Sequence, residues 1–170
     1  MPSKVSLTRC ESYESGEVRA AVKRAVDLIG GMGSFIKPGD NVLIKPNLLS
    51  ASPPEKAVTT HPEVLRAVIR LVKASGGIPG VGDSHGGSHH RMEAVYEKTG
   101  IGGVCDNENV KKLIFEKSKK INNIPIAAAA LEADKIISLP KFKTHSLTVL
   151  TAGIKNMFGI VPGLYKRAAI

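Results

Sequence analysis

Strand-like apolar runs alternate with helical repeats along this chain, and that alternation predicts an α/β fold. The expected architecture is a mostly parallel β-sheet with helices on both faces, three-layered and Rossmann-like. Composition agrees. Trp is absent and aromatic residues are 4% of the 170, so Val, Ile, Leu and Ala must fill the core. That suits parallel strands buried on both faces. Seventeen glycines and ten prolines supply the tight turns.

Each element has its own signal. Val5-Ser6-Leu7-Thr8 alternates and predicts a short edge strand. From Gly16 to Ile29, Val18, Ala21, Val22, Ala25, Val26 and Ile29 recur at helical spacing, and Gly30-Gly31 stop the helix. After the Pro38-Gly39-Asp40 turn, Asn41 to Lys45 reads as a central strand. Pro46 to Thr60 is a long loop, and loops of that length inside a domain are often functional. Thr60 or His61 caps the next helix, which has Pro62 in its first turn and ends at Gly76-Gly77. Ile78 to Gly82 predicts a strand, and His89 to Thr99 a helix. Ile101 to Asn109 reads as turn-rich. Val110–Phe115 and Ile124–Ile126 read as strands, Ala127–Ala133 as a short helix, and Lys135–Leu139 as a strand. A helix over Leu147–Phe158 and a turn over Gly159–Gly163 complete the reading.

The totals describe a single α/β domain over residues 1–170. A chain of this length buries roughly 70% of its unfolded surface and needs no disulfide staples. The formal charge is +9, which admits phosphorylated metabolites, acidic protein surfaces and nucleic acid as partners. Nucleic acid is the poorest fit, because three tyrosines and four phenylalanines leave little for base stacking and no nucleic-acid-binding signature is visible. Cys10 and Cys105 stand far apart with no Cys-x-x-Cys, so the chain holds no iron–sulfur ligand set of its own. Reduced thiols predict a cytoplasmic protein. There is no leader-like segment behind Met1 and no apolar run near 18 residues, so no membrane partner is expected.

Right-handed crossovers place the loops after parallel strands at one sheet edge, where α/β folds bind ligands. Four stretches converge there. The first carries Lys45 and Asn47. The second is Gly82-Asp83-Ser84-His85-Gly86-Gly87-Ser88, a strand–glycine loop–helix junction. Its Ser84, Gly86 and Gly87 can present backbone N–H groups to an anion. The third is Leu139-Pro140-Lys141-Phe142-Lys143-Thr144-His145, with Lys141, Lys143 and His145 at alternate positions. The fourth is Lys155 and Asn156. Converging cations predict a small ligand bearing phosphate or carboxylate. Asp83, Lys143 and His145 are the candidates for chemistry. His145, beside two lysines, is the candidate base.

Some readings are weaker. Gly82-Asp83-Ser84-His85-Gly86 matches Gly-x-Ser-x-Gly in letters but lacks the turn straight into a helix. His85, His89 and His90 raise a metal question, yet their spacing assigns no site, and no metal ligand is assigned.

Five motifs occur in order: Val42-Leu43-Ile44-Lys45-Pro46-Asn47, Thr60-His61-Pro62-Glu63-Val64, Gly82 to Gly87, Leu139 to His145, and Gly153-Ile154-Lys155-Asn156-Met157-Phe158-Gly159. Together they resemble the DUF362 family, a prokaryotic domain of unknown function, over nearly the whole chain. The resemblance implies an association with iron–sulfur proteins, since many members carry a ferredoxin-like module. Here that module would be a partner, in the same protein or a separate one, and the domain a redox-associated scaffold. The resemblance also implies a family domain longer than this chain, with truncation at the C-terminus as an expectation. A distant similarity to the N-terminal domain of nickel-dependent lactate racemases makes a cofactor or a hydroxy acid a conceivable ligand. The cofactor itself stays unknown.

Overall fold

A computed structural model describes residues 3–84, 92–145 and 148–162. Helix α1 spans Ser15–Asp27, strand β1 Asn41–Pro46, helix α2 Pro62–Ala74 and strand β2 Ile78–Val81. Helices α3 (Met92–Lys98) and α4 (Ile101–Asn107) precede the two-residue strand β3, Lys111–Lys112. Strands β4 (Ser118–Ile121) and β5 (Ile124–Ala127) lead to the short helix α5, Ala128–Leu131. Strands β6 (Lys135–Leu139), β7 (Lys143–His145) and β8 (Val149–Thr151) follow, then helix α6, Gly153–Met157.

Four strands form one parallel sheet in the order β3-β2-β1-β6. The predicted α/β class holds. The register of β1 on β6 runs from Val42 opposite Lys135 to Pro46 opposite Leu139, so β1 and β6 end together. Side chains alternate across a strand. Val42 and Ile44 therefore enter one core with α2, α3 and α4, beside Leu65, Ile69, Val81, Tyr96 and Ile101. Leu43 enters a second core with Phe115, Ala127 and Ala130. Helices cover the first face. The β4–β5 hairpin, α5 and the 3-10 turn at Phe158–Ile160 cover the second. Lys45 shares the parity of Leu43 and falls on this second side.

Five local readings change. Val5-Ser6-Leu7-Thr8 is not a strand. Ser6 Oγ donates to Ala25 O at 2.6 Å and Thr8 Oγ1 to Ala21 O at 3.1 Å, while Val5 and Leu7 are exposed. The alternation is real, but its hydroxyl face turns inward, onto α1. Residues 101–109 form a helix rather than turns. Thr99 Oγ1 accepts from the Ile101 N–H, and Ile101, Val104 and Cys105 are buried at helical spacing. Gly102 belongs there because a Cβ would press on the Tyr96 backbone at 3.2 Å. Only two residues of the strand predicted over Val110–Phe115 join the sheet.

Ile124–Ala127 pairs antiparallel with a strand the periodicity missed, Ser118–Ile121. Asn122 and Asn123, at φ of 48° and 65°, make the turn between them. Two-residue hairpin turns favour asparagine in these left-handed conformations. The long helix predicted over Leu147–Phe158 is instead β8 followed by α6. β8 pairs antiparallel with β7, with Lys143 opposite Thr151 and His145 opposite Val149. No described helix is long and apolar enough to cross a membrane.

Candidate functional site

The C-terminal ends of β1, β2 and β6 lie at one edge of the sheet, and the predicted site residues gather around it in two shells. The inner shell is closed. Lys45 is 0% exposed, Asn156 3%, Asp83 4% and Ser84 7%. Lys45 Nζ lies 2.6 Å from Asp83 Oδ1 and donates to Asn156 Oδ1 at 3.2 Å and Pro46 O at 3.3 Å. Asp83 Oδ2 accepts from the Leu48 N–H at 2.8 Å. Asn156 Nδ2 donates to Lys45 O at 3.1 Å and to Ser138 Oγ at 2.9 Å. Three strand ends and α6 are thus tied by one buried network. Such pairing is the condition for keeping charge in a protein interior. Burial still pushes the Lys45 ammonium below its usual value, against the pull of Asp83.

Two further ties close this shell. Ser84 Oγ lies 2.7 Å from Gly159 O and 2.8 Å from Val161 O, and gives its proton to these carbonyls. That engagement makes it a strut between β2 and the C-terminal segment, not an exposed nucleophile. Gly159 lies over the ion pair itself: a Cβ there would overlap Asp83 Oδ1 and Lys45 Nζ. Thr60 clamps the loop after β1. Its hydroxyl donates to Leu139 O at 2.6 Å and accepts from the Asn47 N–H at 2.8 Å.

The outer shell is half-exposed and cationic. Lys141, Lys143, His145 and Lys155 belong to it. The Lys143 ammonium is pushed below its usual value, first by desolvation and then by the charges of Lys155 and Lys141. It donates to Val58 O. Among the described residues no carboxylate forms an ion pair with Lys141, Lys143 or Lys155. Lys141 Nζ lies 3.1 Å from the Tyr13 hydroxyl, and Lys155 Nζ sits 5.7 Å from the Phe158 ring centre. His145 Nδ1 accepts from the Thr148 N–H at 3.2 Å.

The hydroxyls of Thr59 and Thr151 and Oδ1 of Asn47 are buried without a hydrogen-bond partner among the described residues. Thr59 follows Val58, whose carbonyl takes Lys143, and Thr151 is opposite Lys143 in the β7–β8 register. Buried polar atoms normally find partners, and these do so with no described residue.

Sequence reasoning named Lys45, Asn47, Asp83, Ser84, Lys141, Lys143, His145, Lys155 and Asn156, and all lie around this edge. Gly86 and Gly87, with His85, His89 and His90, fall outside the described residues. Thr59, Thr60, Thr151 and Gly159 were missed as site residues. The only signal for Gly159 was its place in the Lys155-Asn156-Met157-Phe158-Gly159 motif. No group of three or more His, Cys, Asp or Glu side chains among the described residues is placed to hold a metal. The two thiols do not fit a cluster either: Cys10 is exposed, and Cys105 is in the core with its pKa pushed up to about 11 by burial.

A family model described as a domain of unknown function, DUF362, matches residues 42–170. A thylakoid-associated protein of Synechocystis sp. is 39% identical over 172 residues, a match covering 98% of this chain and 53% of that relative. The chain thus spans about half the length of the curated relative it matches. No solved structure matches the chain at a significant level.

Proposed function

This chain belongs to the DUF362 family, and we propose that it binds a small anion, a phosphate- or carboxylate-bearing molecule, at Lys141, Lys143 and Lys155. The observation that carries the proposal is the state of Lys143. Its ammonium is partly desolvated beside two other lysines, with a backbone carbonyl as its hydrogen-bond acceptor and no carboxylate paired to it among the described residues. An anion there offsets a repulsion that the fold leaves standing. His145, two residues along β7, reaches the ligand from the same side as Lys143. In this reading Lys45, Asp83, Ser84 and Asn156 hold the site together from beneath, without touching the ligand.

Sulfate titration followed by calorimetry or NMR tests it. Wild-type protein binds sulfate, and Lys143→Gln weakens binding roughly tenfold or more, the value of one charge-assisted hydrogen bond. Equal affinity in the two proteins sinks the proposal.

A second reading has one observation of its own. Lys117, Lys119 and Lys120 lie exposed on or beside the β4–β5 hairpin. They offer a cationic face to an acidic partner, such as a ferredoxin-like module. Charge reversal at Lys119 and Lys120 would abolish that docking and leave sulfate binding intact. A cytoplasmic location, proposed from the two thiols, stands beside the thylakoid association in the relative's name. Fractionation that places all of the protein with membranes would replace it.

A further inference from the structure

A second place in the molecule has the character of a binding site. Between the N-terminal segment, α1, α2 and edge strand β6 lies a cavity of about 500 Å³. The pocket is partly open to solvent, and its volume lies in the range of about 300–1,000 Å³ that ligand pockets occupy. The wall is aliphatic, with Val22, Ala25, Val26, Met32, Ile137 and Leu139 among its residues. The polar lining residues, Thr8, Cys10, Glu11, Ser12 and Tyr13, all come from the N-terminal segment. Half-exposed Tyr13 stacks on His61 with ring centres 3.7 Å apart, and its hydroxyl lies 3.1 Å from Lys141 Nζ. Lys141 Nζ is also 5.6 Å from the Tyr13 ring centre. Glu11, the acidic residue of the rim, is paired with Arg9. An apolar chamber therefore opens beside one positive charge whose described partner is a neutral phenol.

We propose that this cavity takes the aliphatic chain of an amphipathic carboxylate, whose head meets Lys141 at the Tyr13 rim. The aliphatic wall accepts methylene groups at the cost of no buried polar atom. The ammonium, tethered over Tyr13, supplies the charge-assisted bond that separates a carboxylate from an alcohol of the same length. Lys141 is shared with the proposed anion site, and the chamber is told apart from that site by Ala25→Phe.

Dodecanoate and 1-dodecanol, each below its aggregation limit, are titrated against the intact chain by calorimetry. Wild-type protein binds dodecanoate at one site. Ala25→Phe, which fills the chamber, lowers that affinity at least tenfold while sulfate binding is kept. Lys141→Gln weakens dodecanoate roughly tenfold and leaves dodecanol unchanged. No dodecanoate binding by wild type, or equal binding by Ala25→Phe, overturns the proposal. Should Ala25→Phe fail to fold, equal dodecanoate affinity in Lys141→Gln and wild type overturns it instead. Loss of sulfate binding with dodecanoate binding intact refutes only the anion site.

Discussion

Lys45 Nζ and Asp83 Oδ1 meet 2.6 Å apart at the ends of neighbouring parallel strands, with side chains 0% and 3% exposed. A lysine at a strand end is ordinarily a solvated group. Here it is the centre of the network that joins β1, β2, β6 and α6.

Removing one partner of such a pair leaves the other charge buried without compensation. Lys45→Met is expected to destabilise the protein by about 3–5 kcal/mol. Replacing both, as Lys45→Met with Asp83→Leu, should cost less than the sum of the single changes. Urea denaturation of the four proteins checks this, and strict additivity would remove the pair from its assigned role.

Gly159 is the seal over the same pair. A methyl group there collides with both charged atoms, so Gly159→Ala should cost roughly 1–3 kcal/mol. A variant as stable as wild type in thermal unfolding would show that the segment does not press on the pair.

Thr60 joins the loop after β1 to the end of β6. Thr60→Val keeps the shape, strands the Asn47 N–H and removes the donor to Leu139 O. The expected loss is about 1–3 kcal/mol, with faster hydrogen exchange at the Asn47 amide. Unchanged exchange there would count against the clamp.

In the proposed anion site, Lys143 should set the pH dependence of binding. Its folded-state pKa is below the ordinary lysine value, so its charge is complete at low pH and is lost as pH rises through that depressed value. A bound anion favours the charged form and draws in a proton. Sulfate, whose own charge is constant above neutrality, should therefore bind more weakly as pH rises, starting below the range where exposed lysines titrate. Lys143→Gln should flatten that part of the profile. A profile that stays parallel to wild type would locate the titrating group elsewhere.

Much of this was legible in the residues. Val42-Leu43-Ile44 declares a buried strand, Ile136-Ile137 marks a strand that lies at the sheet edge with Ile136 exposed, and α2 carries its cap, its proline and its apolar face in plain sequence. The elements that escaped are short ones, held by partners distant in sequence. Helix α4 hides behind Gly102-Gly103, which periodicity reads as a break, although the glycine makes room for Tyr96. The segment of β8 looks helical because Leu147, Leu150 and Ile154 fall near helical spacing. Site residues were legible as a set of cations at one sheet edge. Their division into a closed inner shell and an open outer one was not. Nothing near Lys45 in sequence announces that Asn156 and Gly159, more than a hundred positions away, close over its ammonium.

The position of Gly159 also bears on biosynthesis. Lys45 and Asp83 leave the ribosome well before Asn156, Gly159 and Val161 exist. During that interval the growing chain lacks the residues that cover the ammonium and take the Ser84 proton. The strand ends wait for a segment made late, so the last step in closing this sheet edge belongs to residues 156–161. A nascent chain halted short of Gly159 should be cut by protease near the end of β1, and one extended past Val161 should resist.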